Sequence, residues 1–171
     1  AGPLASLGHN HIISWSPTGW VLQAPALTDS AFGVSVELDS ARVDDARERA
    51  AEGPDFPGEI PADARAGTAR NMLGGALLDA GHHPQMLIRS TRITAAGLPE
   101  AQVLLSLAGR DVPLRVPFTL RQSAGEVRAE GTLDIRQSEL GLKPFSVMLG
   151  ALQVQDRIQI RFRFVVRREA G

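Results

Sequence analysis

The chain lacks cysteine, long apolar runs and appreciable net charge, and each absence excludes a class of protein. Without a cysteine among its 171 residues, it can form neither a disulfide framework nor a site with thiolate ligands. It has no run of about 18 apolar residues, so the sequence predicts no transmembrane helix. A formal net charge of −1 gives no general attraction to nucleic acid, which we therefore do not expect as a partner.

Recognisable catalytic signatures are also missing. The chain contains no G-x-S-x-G, H-E-x-x-H, P-loop or G-x-G-x-x-G sequence, and no spacing pairs a nucleophile with a base. Four acidic residues are interpreted as the solvated face of a charged helix: Asp44, Asp45, Glu48 and Glu52. We predict that the protein is not an enzyme.

Length and composition predict one globular domain over residues 1–171. With 43% apolar and 22% charged residues, a chain of this size can bury roughly 70% of its unfolded surface. The sequence opens Ala1-Gly2-Pro3, with neither a methionine nor a charged and apolar leader. We expect either that a leader has been removed or that the sequence was trimmed, and the residues favour neither.

Alternation of apolar and polar residues predicts a mainly β fold. It is clearest near the carboxyl end, where Ile158, Ile160, Phe162 and Phe164 alternate with polar residues. Seven earlier segments carry strand signals: residues 12–15, 20–23, 32–38, 86–93, 101–108, 112–122 and 126–136. The first two are predicted to form a hairpin. A total of about eight strands, with turns about every ten residues, is typical of an antiparallel barrel or sandwich.

A change of period predicts one helix that begins at Asp63 or Thr68 and ends at Ala80, with its apolar stripe over about residues 68–80. Six small or apolar residues follow a helical spacing on one face: Ala69, Met72, Leu73, Ala76, Leu77 and Ala80. Thr68 is the predicted N-cap and Gly81 the predicted terminator. A short, exposed helix is also expected within residues 44–52. The residues therefore predict a β-barrel or sandwich with one helix lying against it.

Several stretches resemble one known family. The specific ones are Arg136-Gln-Ser-Glu-Leu-Gly-Leu-Lys-Pro-Phe-Ser146, Gly150-Ala-Leu-Gln-Val-Gln-Asp156 and the final strand. Five others support them: Leu7-Gly-His-Asn-His11, Arg70-Asn-Met-Leu73, His83-Pro84, Met86–Ser90 and Val112–Leu120. On these residues the chain resembles the YceI-like family, the lipocalin-like polyisoprenoid-binding proteins of bacteria. Members usually have one more strand ahead of the Gly-His stretch, where only six residues precede Leu7.

The resemblance implies an eight-stranded antiparallel lipocalin-like barrel with one amphipathic helix packed against it. The barrel is expected to hold a polyisoprenoid, a quinone tail or a fatty-acid-like lipid. An eight-stranded barrel has interior space for its own side chains or for one slender ligand. Nine residues are expected to line it: Trp15, Trp20, Met72, Leu73, Leu77, Phe145, Met148, Leu149 and Phe162. The same residues fit a plain filled core, and the pattern alone does not separate the two interpretations. The candidates for contact with a ligand head group are His9, His11 and Lys143.

His9 and His11 are the most suggestive polar pair. In an extended segment, residues i and i+2 point to the same face, so both could bind a metal ion or haem iron. Such a site needs a third ligand, and no neighbouring residue supplies one. We predict no metal site, with His9 and His11 as the candidates should one exist. His82 and His83, ahead of Pro84, are interpreted as polar groups of a loop.

The residues and the resemblance leave three functional hypotheses. The first is a bacterial envelope protein, periplasmic or membrane-associated, that sequesters or carries an apolar small molecule. The second is a non-enzymatic accessory subunit, with a filled barrel, docked on a larger envelope complex. The third is a histidine-based metal or haem protein. A homodimer and a membrane surface stay open as partners, the latter through a basic strip at Arg161, Arg163, Arg167 and Arg168.

Overall fold

The computed structural model describes residues 9–123, 126–147 and 152–167. Within them lie two α-helices, α1 (Ala46–Glu52) and α2 (Ala62–Leu73). The strands are, in chain order, β1 (Ile13–Ser14), β2 (Thr18–Leu22), β3 (Ala31–Glu37), β4 (Arg42–Val43), β5 (Gln85–Thr94), β6 (Glu100–Leu107), β7 (Arg110–Pro117), β8 (Thr119–Ser123), β9 (Glu126–Arg136), β10 (Ser146–Val147), β11 (Leu152–Gln153) and β12 (Arg157–Arg167). The prediction of a mainly β fold is confirmed, although the described residues form twelve strands and not eight.

Most strands belong to two antiparallel sheets. The larger sheet has the order β2-β3-β5-β6-β7, and the smaller has the order β12-β9-β8. β1 with β4, and β10 with β11, form separate two-stranded pairs. Ala108 and Gly109, at φ values of 48° and 72°, make the two-residue turn between β6 and β7. Positive φ at both positions matches the twist of the flanking strands.

One nearly continuous strand joins the two sheets. β7 belongs to the larger sheet and β8 to the smaller, and Phe118 alone separates them. Phe118 is buried, and its N–H leaves the ladder to donate to the carbonyl of Pro99 at 2.9 Å. Through this connection the two sheets follow one another from β2 at one edge to β12 at the other. No ladder pairs these two edges within the part of the chain that the structure describes, so the prediction of a closed eight-stranded barrel is wrong.

The predicted hairpin between the first two strand segments is also wrong. β1 pairs with β4, and β2 pairs with β3. The reason is Asp44, whose N–H donates to the carbonyl of Ile12 at 2.8 Å. The carboxylate of Asp44 in turn accepts a hydrogen bond from the N–H of Ile12 at 3.0 Å. These two bonds hold the first strand against β4 and away from β2.

The alternation predicted for the last strand is confirmed. β12 pairs with β9 along its whole length, with its arginines exposed and Ile158, Phe162 and Phe164 half-buried, although Ile160 on the same face is 39% exposed. Three arginines of the predicted basic strip contact carboxylates: Arg161 with Glu52 of α1, Arg163 with Glu130, and Arg167 with Glu126. Arg168 lies outside the described residues. The described part of the strip is therefore compensated by acidic neighbours.

The long helix begins near the earlier of its two predicted starts and ends earlier than predicted. α2 spans Ala62–Leu73, so its start agrees with Asp63 to within one residue, Thr68 is not its N-cap, and it does not reach Ala80. It ends at Gly74-Gly75, because glycine inside a helix costs about 1 kcal/mol relative to alanine. The chain then continues in turns that still reach the core. Neither described helix is long and apolar enough to cross a membrane.

Candidate functional site

The inner faces of the two sheets enclose an apolar interior made of two clusters. The first lies beneath the end of α2 and has six buried residues: Leu38, Leu78, Leu105, Leu107, Ile135 and Leu140. The second lies toward the opposite end of β6 and has four: Ile93, Ala101, Val103 and Phe118. Ile88 of β5 and Leu114 of β7 pack against both clusters. The two clusters therefore form one elongated apolar region.

Half-buried side chains outnumber buried ones in this region. Twelve pack against the first cluster and seven against the second. A core filled by its own side chains packs to a density of about 0.75, which leaves little inward surface exposed. Here Phe32, Met86 and Phe162 face inward and each keeps part of its surface accessible. The apolar region is therefore not completely buried.

Four of the nine residues predicted to line the interior lie in these clusters. Met72, Leu73 and Leu77 pack against the first cluster from the helix side. Phe162 packs in the second cluster, with its ring over Gly131 on the neighbouring strand. A β-carbon on Gly131 would lie 2.7 Å from the Cζ atom of that ring. The absence of a side chain at Gly131 therefore gives Phe162 its place.

The two tryptophans differ in their surroundings. Trp15 is half-buried, and its indole N–H donates to the carbonyl of Leu38 at 3.3 Å, so it borders the first cluster. Trp20 is 57% exposed, and its indole lies over Gly33, on the face of the sheet opposite to Phe32. Trp20 therefore does not face the apolar region, and we leave it out of the candidate site.

The crossing segment between β9 and β12 borders the first cluster, with Leu140 as a member and Leu142 packed against it. The carboxylate of Asp156 accepts hydrogen bonds from the hydroxyl and the N–H of Ser138, at 2.6 and 2.9 Å. These bonds, the one from the hydroxyl first, hold the pKa of Asp156 below its ordinary value. Phe145 is half-buried in the crossing and Lys143 is exposed. The predicted lining residues Met148 and Leu149 lie outside the described residues.

Sequence reasoning missed most of the apolar region. Its prediction omits Phe32, Ile88, Leu114 and Val116, which all pack against the second cluster. Each of the four lies on a predicted strand, where alternate residues share one face. Alternation could have identified these residues if the inward face of one neighbouring strand had been known.

A second candidate site lies where the amino-terminal histidines meet residues next to α1. Nδ1 of His11 lies 2.6 Å from Oδ2 of Asp44, which is 33 residues later in the chain. The rings of His9 and His11 have their centres 4.4 Å apart. One ligand atom from each of these three residues lies within 4.8 Å of the others. The fold thus places the carboxylate of Asp44 beside the two histidine rings.

Asp44 is a buried anchor. It is fully buried, and its Oδ1 atom accepts a hydrogen bond from Nη1 of Arg49 at 2.8 Å. Arg49 is 1% exposed and also donates to three backbone carbonyls, those of Asn10, Pro57 and Gly58. The interpretation of Asp44 as part of a solvated face is therefore wrong, because the pairing with Arg49 makes its burial tolerable.

The predicted short helix is confirmed as α1, and each of the other three acidic residues of that segment has a partner. The carboxylate of Asp45 accepts hydrogen bonds from two backbone N–H groups of the first turn, at 3.0 and 3.2 Å, and so caps the helix. Glu48 accepts a hydrogen bond from the hydroxyl of Ser14 at 2.8 Å. Glu52 pairs with Arg161 of β12. All three carboxylates have structural partners.

Burial and hydrogen bonding set the ionisation of the cluster. Burial lowers the pKa of His9, and the nearby His11 lowers it further. Burial by itself would raise the pKa of Asp44, but the hydrogen bonds from His11 and from the backbone of Ile12 outweigh it. The pKa of Asp44 therefore lies below its ordinary value, and the group is an ionised acceptor at neutral pH.

His82 and His83 lie in the turn before β5, in agreement with their interpretation as loop residues. Nδ1 of His82 is 2.9 Å from a carboxylate oxygen of Asp79, and this bond raises the pKa of His82. The ring of His83 lies against Gly109 of the β6–β7 turn. Neither residue belongs to the group of potential metal ligands formed by His9, His11 and Asp44.

Comparison with known proteins identifies the fold. The family model of the YceI-like domain matches residues 18–166. Burkholderia cenocepacia BcnA is similar in structure, with a TM-score of 0.65 and 19% identity, over 88% of this chain and 84% of that one. The Campylobacter jejuni YceI protein gives a TM-score of 0.66 and 9% identity, over 93% and 85%. No curated protein matches. At these identities the solved structures establish the fold alone.

Proposed function

This chain belongs to the YceI-like family, and on that premise we propose that it binds a long apolar molecule between its two sheets. The ligand is a polyisoprenoid, a quinone tail or a fatty-acid-like lipid, and the role is sequestration or transport without catalysis. The observation that carries the proposal is the elongated apolar region, continuous through Ile88 and Leu114 and lined mainly by half-buried side chains. Apolar walls with few polar groups are typical of sites for such ligands.

Burial alone can supply the affinity. A slender chain that loses roughly 400 Å² of accessible surface gains about 10 kcal/mol at about 25 cal/mol per Å². Association costs at least about 4 kcal/mol in lost freedom of motion. A net gain of about 6 kcal/mol corresponds to a Kd of roughly 40 µM. We therefore expect affinity to rise with chain length, because each further buried methylene adds about 0.8 kcal/mol.

Entry and release of the ligand would require movement of the segments that border the first cluster. We propose that the segment Met72–Leu77 and the crossing that carries Phe145 move to admit the chain. Lys143, exposed two residues before Phe145, is our candidate for contact with an anionic or polar head group. Trp15, at the border of the first cluster, would contact the ligand near the same end.

The test is binding to delipidated protein, followed by native mass spectrometry. Farnesol, a longer prenol, a quinone and a fatty acid are offered in turn, and a one-to-one complex is expected for at least one. Leu114→Trp adds bulk where the two clusters meet and should weaken binding at least tenfold. Leu104→Trp is the matched control, because Leu104 is on the outer face of β6.

Circular dichroism must show that both variants fold. If none of the four compounds binds the wild-type protein, the proposal is wrong. Equal binding by the Leu114→Trp and wild-type proteins would place any ligand outside the apolar region and would also contradict it.

An exposed apolar edge favours docking as a second candidate function. Trp20, Val21 and Leu22 are 57%, 47% and 64% exposed on β2, an edge strand of the larger sheet. Such an edge is a template for pairing with another strand. We propose that β2 docks on a larger envelope complex or on a second copy of this chain. Light scattering over a range of concentrations, with Leu22→Lys as the disrupting variant, tests the homodimer, and crosslinking in the cell envelope tests the complex.

We propose a location in the bacterial periplasm or at an envelope membrane. Long prenyl lipids and quinones are membrane compounds, and a protein that shields them would work beside a membrane. Fractionation of cells that make the full-length protein tests the location, with recovery in the cytoplasmic fraction as the contrary result.

A further inference from the structure

The cluster of His9, His11 and Asp44 has a geometry that the proposed lipid site does not use. Both histidines are exposed and the aspartate is buried, so the rings can meet a solute while the carboxylate cannot. Ile12, whose N–H donates to Asp44, is not a member of either apolar cluster. A ligand of the two rings would therefore have different neighbours from a lipid held between the sheets.

The two rings are spaced almost as two ligands of one metal ion are. A metal–nitrogen bond of about 2.0–2.1 Å puts each ring centre roughly 3.2 Å from the ion, and ligand angles of roughly 90–110° then separate the ring centres by roughly 4.5–5.3 Å. The observed separation is 4.4 Å, with the ring planes tilted by 59°. Rotation of the exposed His9 side chain would bring its ring nitrogen toward an ion on His11, while His11 keeps its bond to Asp44.

Asp44 is arranged to orient a ligand and not to serve as one. Oδ1 of Asp44 accepts hydrogen bonds from Arg49 and Ile12, and Oδ2 is 2.6 Å from Nδ1 of His11. An ion on Oδ1 would have to displace the guanidinium of Arg49, which backbone carbonyls hold in place, and an ion on Oδ2 would have to displace the ring of His11. A carboxylate on one ring nitrogen keeps the proton there and leaves the other nitrogen free for a metal.

We propose that His9 and His11 bind one divalent transition-metal ion through ring nitrogens, with Asp44 as the positioning residue for His11. Imidazole ligands suit Zn²⁺, Ni²⁺ and Cu²⁺, whereas Mg²⁺ and Ca²⁺ require oxygen ligands. Two protein ligands leave the other coordination positions to water or to an external donor. We expect micromolar affinity and rapid exchange, as in a site that acquires or delivers an ion.

The first experiment measures Zn²⁺ affinity of the metal-free full-length protein by competition with a chromogenic chelator. One equivalent is expected to bind, and His9→Gln and His11→Gln should each weaken binding at least tenfold. His82→Gln is the matched control, because His82 is also exposed and also pairs with an aspartate at 2.9 Å. It should leave the affinity unchanged.

The second experiment identifies the ligands. The electron paramagnetic resonance spectrum of bound Cu²⁺ should show coupling to two imidazole nitrogens in the wild-type protein and to one in each of His9→Gln and His11→Gln. Asp44→Asn should weaken Zn²⁺ binding by about 10–100-fold, as the loss of an orienting carboxylate does. The ¹⁵N spectrum should show His11 protonated on Nδ1 in the wild-type protein and a mixture of tautomers in Asp44→Asn.

Three outcomes would overturn the proposal. The first is equal Zn²⁺ affinity in the wild-type, His9→Gln and His11→Gln proteins. The second is a loss in His82→Gln as large as theirs, which would show scattered surface binding. The third is a Cu²⁺ spectrum without two imidazole nitrogens. If Asp44→Asn does not fold, the two histidine variants still decide the ligands, and a wild-type His11 without a proton on Nδ1 would refute the role of Asp44.

Discussion

Replacement of Arg49 by methionine would leave the carboxylate of Asp44 buried without its countercharge. Arg49 is 1% exposed, and its guanidinium donates to Asp44 and to three backbone carbonyls. Loss of one partner of a buried ion pair costs about 3–5 kcal/mol, because the remaining charge has neither water nor a counterion. Methionine keeps much of the apolar stem of arginine, so the expected loss comes mainly from the polar head.

This loss is large enough to measure by thermal and urea unfolding. For a domain of this size, each kcal/mol lowers Tm by about 2–4 °C. Arg49→Met should therefore lower Tm by about 6–20 °C. Arg47→Met, at an exposed position two residues earlier on α1, is the control and should change stability by less than about 0.5 kcal/mol.

A second substitution checks the cause. If the cost arises from an unpaired buried charge, the double variant Asp44→Asn/Arg49→Met should be more stable than Arg49→Met alone, because the buried charge is gone. A loss below about 1 kcal/mol in Arg49→Met would refute the reasoning, since water would then reach the carboxylate. A double variant less stable than Arg49→Met would contradict it as well.

Three further predictions concern other parts of the fold. Gly109→Ala should lower the free energy of unfolding by at least about 1–2 kcal/mol, because φ is 72° and the new β-carbon would lie 2.7 Å from the ring of His83. Urea unfolding measures this loss, and an unchanged midpoint would contradict the prediction. Phe162→Ala should lower the free energy of unfolding by about 2–3 kcal/mol and open the space above Gly131. The loss is smaller than for a fully buried phenylalanine because Phe162 is half-buried. A loss below about 1 kcal/mol would show that the ring does not pack there. The folded pKa of Asp156 is lower than its unfolded pKa, so its carboxylate stabilises the fold above the unfolded pKa, and this stabilisation is lost as the pH falls through the folded pKa. Ser138→Ala should therefore raise the pKa of Asp156 in an NMR titration and flatten the acid side of the stability profile, and an unchanged pKa would refute the hydrogen-bond explanation.

The sequence by itself determined the longer strands and the family. Alternation with a period of two is a local property of the backbone, and the predicted limits of β9, residues 126–136, agree with the structure. The motif around Gly141 and the alternation in β12 are equally local, and they carried the resemblance that the family match confirms. The helix limits failed because the apolar stripe continues past Gly74-Gly75, where the backbone cost of glycine ends α2.

Only the tertiary structure decided which edges stay unpaired and which polar groups are buried. Asp44 and Asp45 are the same residue type side by side, yet one is a buried anchor and the other caps a helix. The difference comes from contacts of Asp44 with residues 32 and 33 positions earlier. In the same way, Phe118 breaks a strand that alternation alone would continue. Contacts between distant residues leave no period in the sequence, so local patterns could predict the strands but neither the open edges nor the partners of the histidines.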